Sequence, residues 1–408
     1  MTQSVHTRLS LGAVVLAGVG VRLLYILLFV NLHTEDYWEY GEIAKYLHAG
    51  KGYSLFSFSG GLPSAQFDAD ATPVPSAYMA PGYVWYLYPF LFLGDVPLRN
   101  FLILTLQVLL SAGLMVVVYG FTRRYFAEAA ALTAAAITAF LPEFVYAVGS
   151  FTPTALYHIV VVVLLYVLYG IEDRPSANLT LIAGGLQAFL FYLRVESILL
   201  GFLLSIFWFV RGRRTRAVFF LIMLLACASP WVVRNYSVLE GFVPFTTSGG
   251  LNLYRGHNAS GIGAWADSVV SAQVNALGPS PRYEIERQEV YLKRVAVFLR
   301  EHPLAEPGLA ARKMVALWLT EGNQPRAWHP LYLIPWIVML VLSGWGVRVS
   351  GRLRTHMPTW MFLLYSTLLA VMFFVLPRYQ TMMKIALVPF AAVGLGSFWN
   401  WIRSRAMR

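Results

Sequence analysis

Ten apolar runs, at about 9–30, 99–121, 126–143, 153–171, 178–193, 197–211, 215–233, 328–347, 357–376 and 381–402, organise the chain. Several reach the roughly 20 residues that an α-helix needs to cross about 30 Å of hydrocarbon. Helices satisfy all their backbone polar groups internally, as a bilayer interior demands. The expected fold class is an all-α polytopic membrane protein with about ten transmembrane helices. The net charge of +11 would point to nucleic acid in a soluble domain. Here charged residues are only 12% of the chain, and Arg and Lys gather in short segments between apolar runs. There they act as topology signals, which excludes nucleic acid as a partner. The single cysteine, Cys227, lies inside an apolar run, so the chain has no internal disulfide. The first run is too long for a signal-peptide core and no small-residue cleavage site follows it, so it reads as an uncleaved helix.

Basic segments follow the second run (Arg123, Arg124), the sixth (Arg211, Arg213, Arg214, Arg216), the eighth (Arg348, Arg352, Arg354) and the tenth (Arg403, Arg405, Arg408). All four share a side with Arg8 and the N-terminus. The positive-inside rule then makes both termini cytoplasmic in a multi-pass protein of the plasma (inner) membrane. Pro81 to Leu93 is too short for a span and opens on Pro-Gly, so it reads as a re-entrant or interfacial segment. Three sections result. Residues 1–233 form a transmembrane module with a first outer loop at 31–98. Residues 234–327 form a large outer loop with a helix expected over 282–300, and residues 328–408 form the C-terminal helices. Function is expected on the outer, periplasmic or extracellular, face.

Within the first loop, Thr34 is placed to N-cap a juxtamembrane helix carrying Asp36, Tyr40, Ala44 and Leu47, with Gly50 and Gly52 ending it. Asp36 then sits in the first turn, beside headgroups and water; complementing the helix dipole is its other possible role. Further on, Pro230-Trp231-Val232-Val233-Arg234-Asn235 puts an arginine where a membrane helix runs into a polar loop. An arginine at that depth needs an anionic partner. A lipid phosphate is the partner most worth testing.

These pieces form an ordered set. Asp36-x-x-x-Tyr40, Gly50-Lys51-Gly52-Tyr53, Ala80-Pro81-Gly82-Tyr83, Pro230-Trp-x-x-Arg234-Asn235, Gly249-Gly-Leu-Asn252-Leu-Tyr254 with Gly256-His257-Asn258, Glu301-His302-Pro303 followed by Lys313 and Trp318, and Arg378-Tyr379 with Pro389 run along most of the chain. The set resembles the GT-C glycosyltransferases related to bacterial aminoarabinose transferase and protein O-mannosyltransferases. The resemblance implies a GT-C-like fold with outer-face juxtamembrane helices. It also implies transfer of a sugar from a polyprenyl-phosphate carrier to a lipid, glycan or protein acceptor of the cell envelope. By resemblance Asp36 takes the place of the first-loop catalytic aspartate, acting as base on the acceptor hydroxyl with inversion at the anomeric carbon. Glu35, roughly 100° around a helix from it, is the rival.

Arg194, Arg234 and Arg378, all at expected outer helix ends, are the candidate ligands of the leaving phosphate, which guanidinium groups hold by bidentate hydrogen bonds. Snorkelling to the interface is the plain alternative for each, and Arg194 has a local partner in Glu196. Lys313 is a second phosphate contact or an interface anchor. Tyr40, Tyr83, Asn252, Tyr254, His257 and Asn258 are candidate substrate contacts. The second outer turn, Ser150-Phe151-Thr152-Pro153-Thr154, lacks the carboxylate that many GT-C enzymes carry there, and Glu143 is the substitute. No cofactor is required on this reading; a divalent metal held by His257 with Glu143 or Asp36 is the alternative. Arg22, mid-span, is expected to pair inside the bundle, with backbone carbonyls among the candidate partners. A transporter would want polar residues on broken helices and comparable loops on both faces, whereas both long loops here share one side. A ligase or polymerase using a diphosphate-linked donor is the rival enzyme. The protein is expected to be monomeric or weakly associated.

Overall fold

The computed structural model describes residues 2–258, 267–320, 325–351 and 356–406. Arg352, Arg354, Arg408 and the side chain of Arg8 lie outside the described residues. α1 (Thr2–Phe29) leads into the loop pieces α2 (Trp38–His48) and α3 (Pro81–Leu87). α4 (Val96–Tyr125), α5 (Glu128–Phe140), α6 (Pro142–Val148), α7 (Thr154–Asp173), α8 (Ala177–Leu193), α9 (Ile198–Val210) and α10 (Arg214–Leu239) follow. The large loop holds α11 (Gly249–Gly256), α12 (Ser268–Asn275), α13 (Tyr283–Glu301) and α14 (Glu306–Trp318). α15 (Pro330–Ser350), α16 (Met357–Met372), α17 (Pro377–Lys384) and α18 (Val388–Ala406) complete the chain.

Each of the ten apolar runs therefore forms helix. Among the described residues six helices are long and apolar enough to cross a membrane, and seven if the bent α5–α6 pair counts as one. The other three expected spans are α8, α9 with the short turn before it, and α16, which are apolar but only 10–17 residues long. At about 1.5 Å per residue such helices fall short of about 30 Å. Pro81 to Leu93 is not a span: α3 is followed by a 3-10 turn, Tyr88–Phe92. The helix expected over 282–300 is α13.

Three departures have physical causes. Thr34 does not cap α2, whose N-cap position is Tyr37, so Asp36 precedes the helix instead of lying in its first turn. Trp38 opens the helix at φ 57, turning the chain sharply after Tyr37. The expected third span is broken, its halves α5 and α6 bent by 55° at Pro142. The fold is not purely helical either: β1 (Ser57–Ser59) and β2 (Leu62–Ser64) pair antiparallel across Gly60-Gly61, both at positive φ. A Gly-Gly pair suits a two-residue hairpin turn.

Arg22 is fully buried and repairs the break. Pro142 has no N–H for the carbonyl of Thr138, four residues back in the helix. Arg22 supplies the donors instead, reaching Thr138 O at 2.8 Å and Ala139 O at 2.6 Å, and it also donates to Gly18 O at 3.0 Å. Pairing with backbone carbonyls is thus what the arginine does. Lipid offers no hydrophobic drive between helices, so close backbone approach matters. α15 and α18 achieve it at Gly346 and Gly394, where added Cβ atoms would run into the carbonyls of Phe390 and Leu342.

A second charge was not foreseen. Lys384 ends α17 at 0% exposure, and its ammonium donates to both oxygens of Glu143 at 2.5 and 2.6 Å while resting 4.3 Å from the centre of the Trp336 ring. Removing one partner strands the other charge, at a cost of about 3–5 kcal/mol. Lys384→Met should therefore destabilise the protein in detergent micelles by that order, and adding Glu143→Gln should recover most of the loss. Equal stability of the single and double variants would contradict the pairing.

Candidate active site

The stretch before α2 is pinned to the start of α4. Asn100, fully buried, donates to Leu32 O at 2.7 Å and Thr34 O at 3.0 Å and accepts from the Tyr37 hydroxyl. Glu35 pairs with Arg99 and, at 2.9 Å, with Lys45. Glu35 is thereby committed to ion pairs. Asp36 lies between these anchors, exposed, and makes no hydrogen bond or ion pair among the described residues. A rigid backbone with one unengaged carboxylate is what a general base requires. Arg99 and Asn100 escaped the sequence reading; two polar side chains in the first turn of an apolar helix were the available signal.

The candidate phosphate ligands divide by what they already hold. Arg234 donates to Ser76 O at 2.5 Å and Tyr53 O at 2.8 Å, and lies 5.0 Å from the Tyr53 ring centre and 5.4 Å from that of Trp231. It ties the first loop to α10. Glu284 does the same from α13: 1% exposed, it accepts from Ala77 N at 2.8 Å and from the Thr247 hydroxyl at 2.6 Å, and burial raises its carboxyl above the usual range. Arg194 pairs with Glu196, its Nε donating at 2.6 Å, and stacks 4.6 Å from the Tyr379 ring centre. Arg378 faces the same ring at 5.5 Å, is exposed, and makes no hydrogen bond or ion pair among the described residues. Arg194 and Arg378 thus meet at Tyr379. Tyr40 lies beside them: burial pushes its hydroxyl up to about 12 while these two arginines pull it back.

Arg255, on α11, extends this group and was missed because it sits unremarked inside the Gly-Gly motif. Its guanidinium lies 5.9 Å from the Phe374 ring centre, and Phe374 packs 6.0 Å from Tyr379. Like Arg378 it has no carboxylate partner among the described residues.

The other motif residues are mostly structural in their contacts. Tyr83 is fully buried against Tyr40 and Tyr86, and Tyr254 is buried against Tyr291. Asn258 caps α11, donating to Tyr254 O at 3.1 Å and Arg255 O at 3.0 Å. Asn252 is half-exposed on the same helix. Gly256 lets α11 touch the end of α16, where a Cβ would collide with the carbonyl of Phe373. The carbonyls at that helix end would otherwise lack donors. Lys313 donates to Val371 O at 3.0 Å, and His257 sets Nε2 2.8 Å from Met372 O with Nδ1 2.9 Å from Glu306. Lys313 and His257 therefore cap α16, two cation-capable groups at its negative end. Glu143 is held by Lys384. Among the described residues no three His, Cys, Asp or Glu side chains come together as a metal site.

Beside the site, a groove of about 360 Å³ runs between α8, α9 and α10, lined by Phe191, Phe202, Leu225, Val233, Phe242 and Phe245. Its lining reaches Val233, the residue before Arg234.

Residues 79–233 match the family model described as dolichyl-phosphate-mannose-protein mannosyltransferase. No curated protein matches the chain. Among solved structures, the Archaeoglobus fulgidus oligosaccharyltransferase tethered with an acceptor peptide superposes with a TM-score of 0.59 at 14% identity, over 98% of this chain and 51% of that one. The same enzyme with an inhibitory peptide and a dolichol-phosphate gives 0.58 at 15%, over 99% and 52%. ArnT from Cupriavidus metallidurans bound to undecaprenyl phosphate gives 0.41 at 16%, over 94% and 76%. The chain spans about half the length of the archaeal enzyme. At these identities the likeness is one of fold, shared with the archaeal oligosaccharyltransferase over nearly the whole of this chain.

The cap on α16 carries a pH signature. Burial pushes the Lys313 ammonium down to about 8 from 10.5, with Glu306 pulling the other way. Between those values the unfolded chain binds this proton more than the folded one, so stability rises with pH across the window. The Tm of the wild type should climb from pH 8 to 10.5 relative to that of Lys313→Met. A constant difference would contradict the assignment.

Proposed function

We propose that this protein is an inverting glycosyltransferase that moves a sugar from a polyprenyl-phosphate-linked donor to a lipid, glycan or protein acceptor at the outer face of the membrane. The observation that carries the reading is a pair of unengaged charges among the described residues, Asp36 on its pinned backbone and Arg378 on the Tyr379 platform. Among the described residues the other candidates, Glu35, Glu143, Arg194, Arg234 and Lys313, all hold partners. The matched family and the fold support the reaction class.

The chemistry follows from those charges. Asp36 takes the proton of the acceptor hydroxyl as its oxygen attacks the anomeric carbon, and the C–O bond to the phosphate breaks on the opposite side. The phosphate goes from one negative charge to roughly two. Arg378, with Arg255 across the Phe374–Tyr379 rings, stabilises that increase, and a preformed cation there acts most strongly in the transition state. Arg194, neutralised by Glu196, holds Tyr379 in place, and Arg234 holds the first loop. The apolar groove between α8, α9 and α10 takes the isoprenoid tail. No metal enters this scheme. Both termini are cytoplasmic on this reading, and the protein works as a monomer.

The two unengaged arginines also suit a diphosphate, which keeps an oligosaccharide ligase or polymerase as the second reading. Assays of the purified protein in nanodiscs with a panel of polyprenyl monophosphate and diphosphate sugars separate the two. Monophosphate donors are expected to give product of inverted anomeric configuration, with transfer unaffected by chelator. Asp36→Asn should bind donor as the wild type does and lose about 10²–10⁴-fold in rate. Full activity of that variant would remove Asp36 as base, and transfer from diphosphate donors alone would favour the second reading.

A further inference from the structure

The end of the bundle away from the candidate active site carries a different feature. α8 runs from Ala177 to Arg194's neighbour Leu193, about 25 Å at 1.5 Å per residue. α10 likewise runs from Arg214 toward Arg234. Between the far ends of these two helices lies a cavity of about 330 Å³, whose lining includes Ser176, Thr180, Arg213, Arg214, Arg216 and Phe219.

Its charge is unbalanced. Glu172 accepts from Arg216 at 3.1 Å, from the Trp208 indole at 2.9 Å and from Arg213, which fixes two of the arginines. Arg214 has no carboxylate partner among the described residues; it is exposed and rests 5.2 Å from the Phe209 ring centre. Three guanidinium groups against one carboxylate leave two positive charges around a space large enough for a phosphate ester. Topology signals alone need only lie in the loop, whereas these side chains wall a cavity and two of them are held in place.

The rim identifies the kind of phosphate. Phe209, Val210, Val218, Phe219 and Ile222 are 54%, 78%, 48%, 42% and 59% exposed. Phe219 lines the cavity itself, and the others stand exposed on α9 and α10 within a few residues of its arginines. A site with a cationic head cavity and an apolar wall beneath it fits an amphiphile better than a free anion.

We propose that this cavity binds the headgroup of an anionic phospholipid in the leaflet opposite the candidate active site. The headgroup phosphate sits among Arg213, Arg214 and Arg216, and its chains lie along Phe219 and Ile222. The site is separate from the donor site and does not depend on the reaction assigned above.

Native mass spectrometry of the purified full chain tests it, with the protein released from mixed micelles holding equal phosphatidylglycerol and phosphatidylcholine. The wild type should retain phosphatidylglycerol preferentially, and excess inorganic phosphate should not displace it. Arg214→Gln, which breaks no ion pair, should lower retention about fivefold, the factor expected per basic residue at a membrane surface. Arg214→Gln with Thr215→Glu should lower it further, with Tm values near that of the wild type showing that both variants fold. Equal retention of the two lipids, or retention unchanged by either variant, overturns the proposal. Displacement by inorganic phosphate overturns the lipid assignment in favour of a soluble anion.

Discussion

A charge in an apolar bundle must find a partner or face water, and that rule shapes most of this molecule. Arg22 is buried by donating to the Thr138 carbonyl that Pro142 leaves open and to that of Ala139 beside it. Lys384 is buried by Glu143, Glu284 by the backbone of Ala77 and the hydroxyl of Thr247. Each pairing costs desolvation and returns it only when geometry is good. The same pairings set the shape: Arg22 fixes the α5–α6 bend, and Arg234 with Glu284 clamps the two long loops into one layer. What remains unpaired is therefore informative. Among the described residues the unengaged charges include Asp36, just before α2, and Arg255 and Arg378, which flank the packed Phe374 and Tyr379 rings.

Helix content was legible because hydrocarbon thickness imposes a length on apolar runs. Loop 81–93 was read correctly as too short for the same reason. Breaks were harder. Pro142 lies inside a run whose hydropathy continues past it, so the run predicts one span where the chain makes two bent pieces. α8 and α9 keep to their runs within a residue and are simply short, while α16 stops at Met372, before the apolar run does. The hairpin at 57–64 had a visible signal in Gly60-Gly61 that a membrane reading passed over.

At the site, residue types were legible and commitments were not. Arg194, Arg234, Arg378 and Lys313 look alike in sequence, yet Arg234 and Lys313 spend donors on carbonyls, Arg194 on Glu196, and Arg378 on none of these. Glu35 and Asp36 are adjacent, and only the partners Arg99 and Lys45 separate a tied carboxylate from an available one. Tertiary partners decide such questions, because spacing along one chain says nothing about which carbonyl ends up opposite which guanidinium. The motif Gly249 to Asn258 shows the converse: much of it serves the close approach of α11 to its neighbours, and Arg255 is its residue with charge to spare.

The distinction between engaged and unengaged arginines is the central claim, and equilibrium binding of a polyprenyl phosphate to the nanodisc-embedded protein tests it most directly. Arg378→Gln should weaken binding about tenfold or more, the worth of a hydrogen bond to a charged group, with the Tm unchanged. Arg234→Gln should lower the Tm, with affinity falling only as far as the folded fraction does. Donor affinity untouched in Arg378→Gln, or lost in a fully folded Arg234→Gln, would contradict the account.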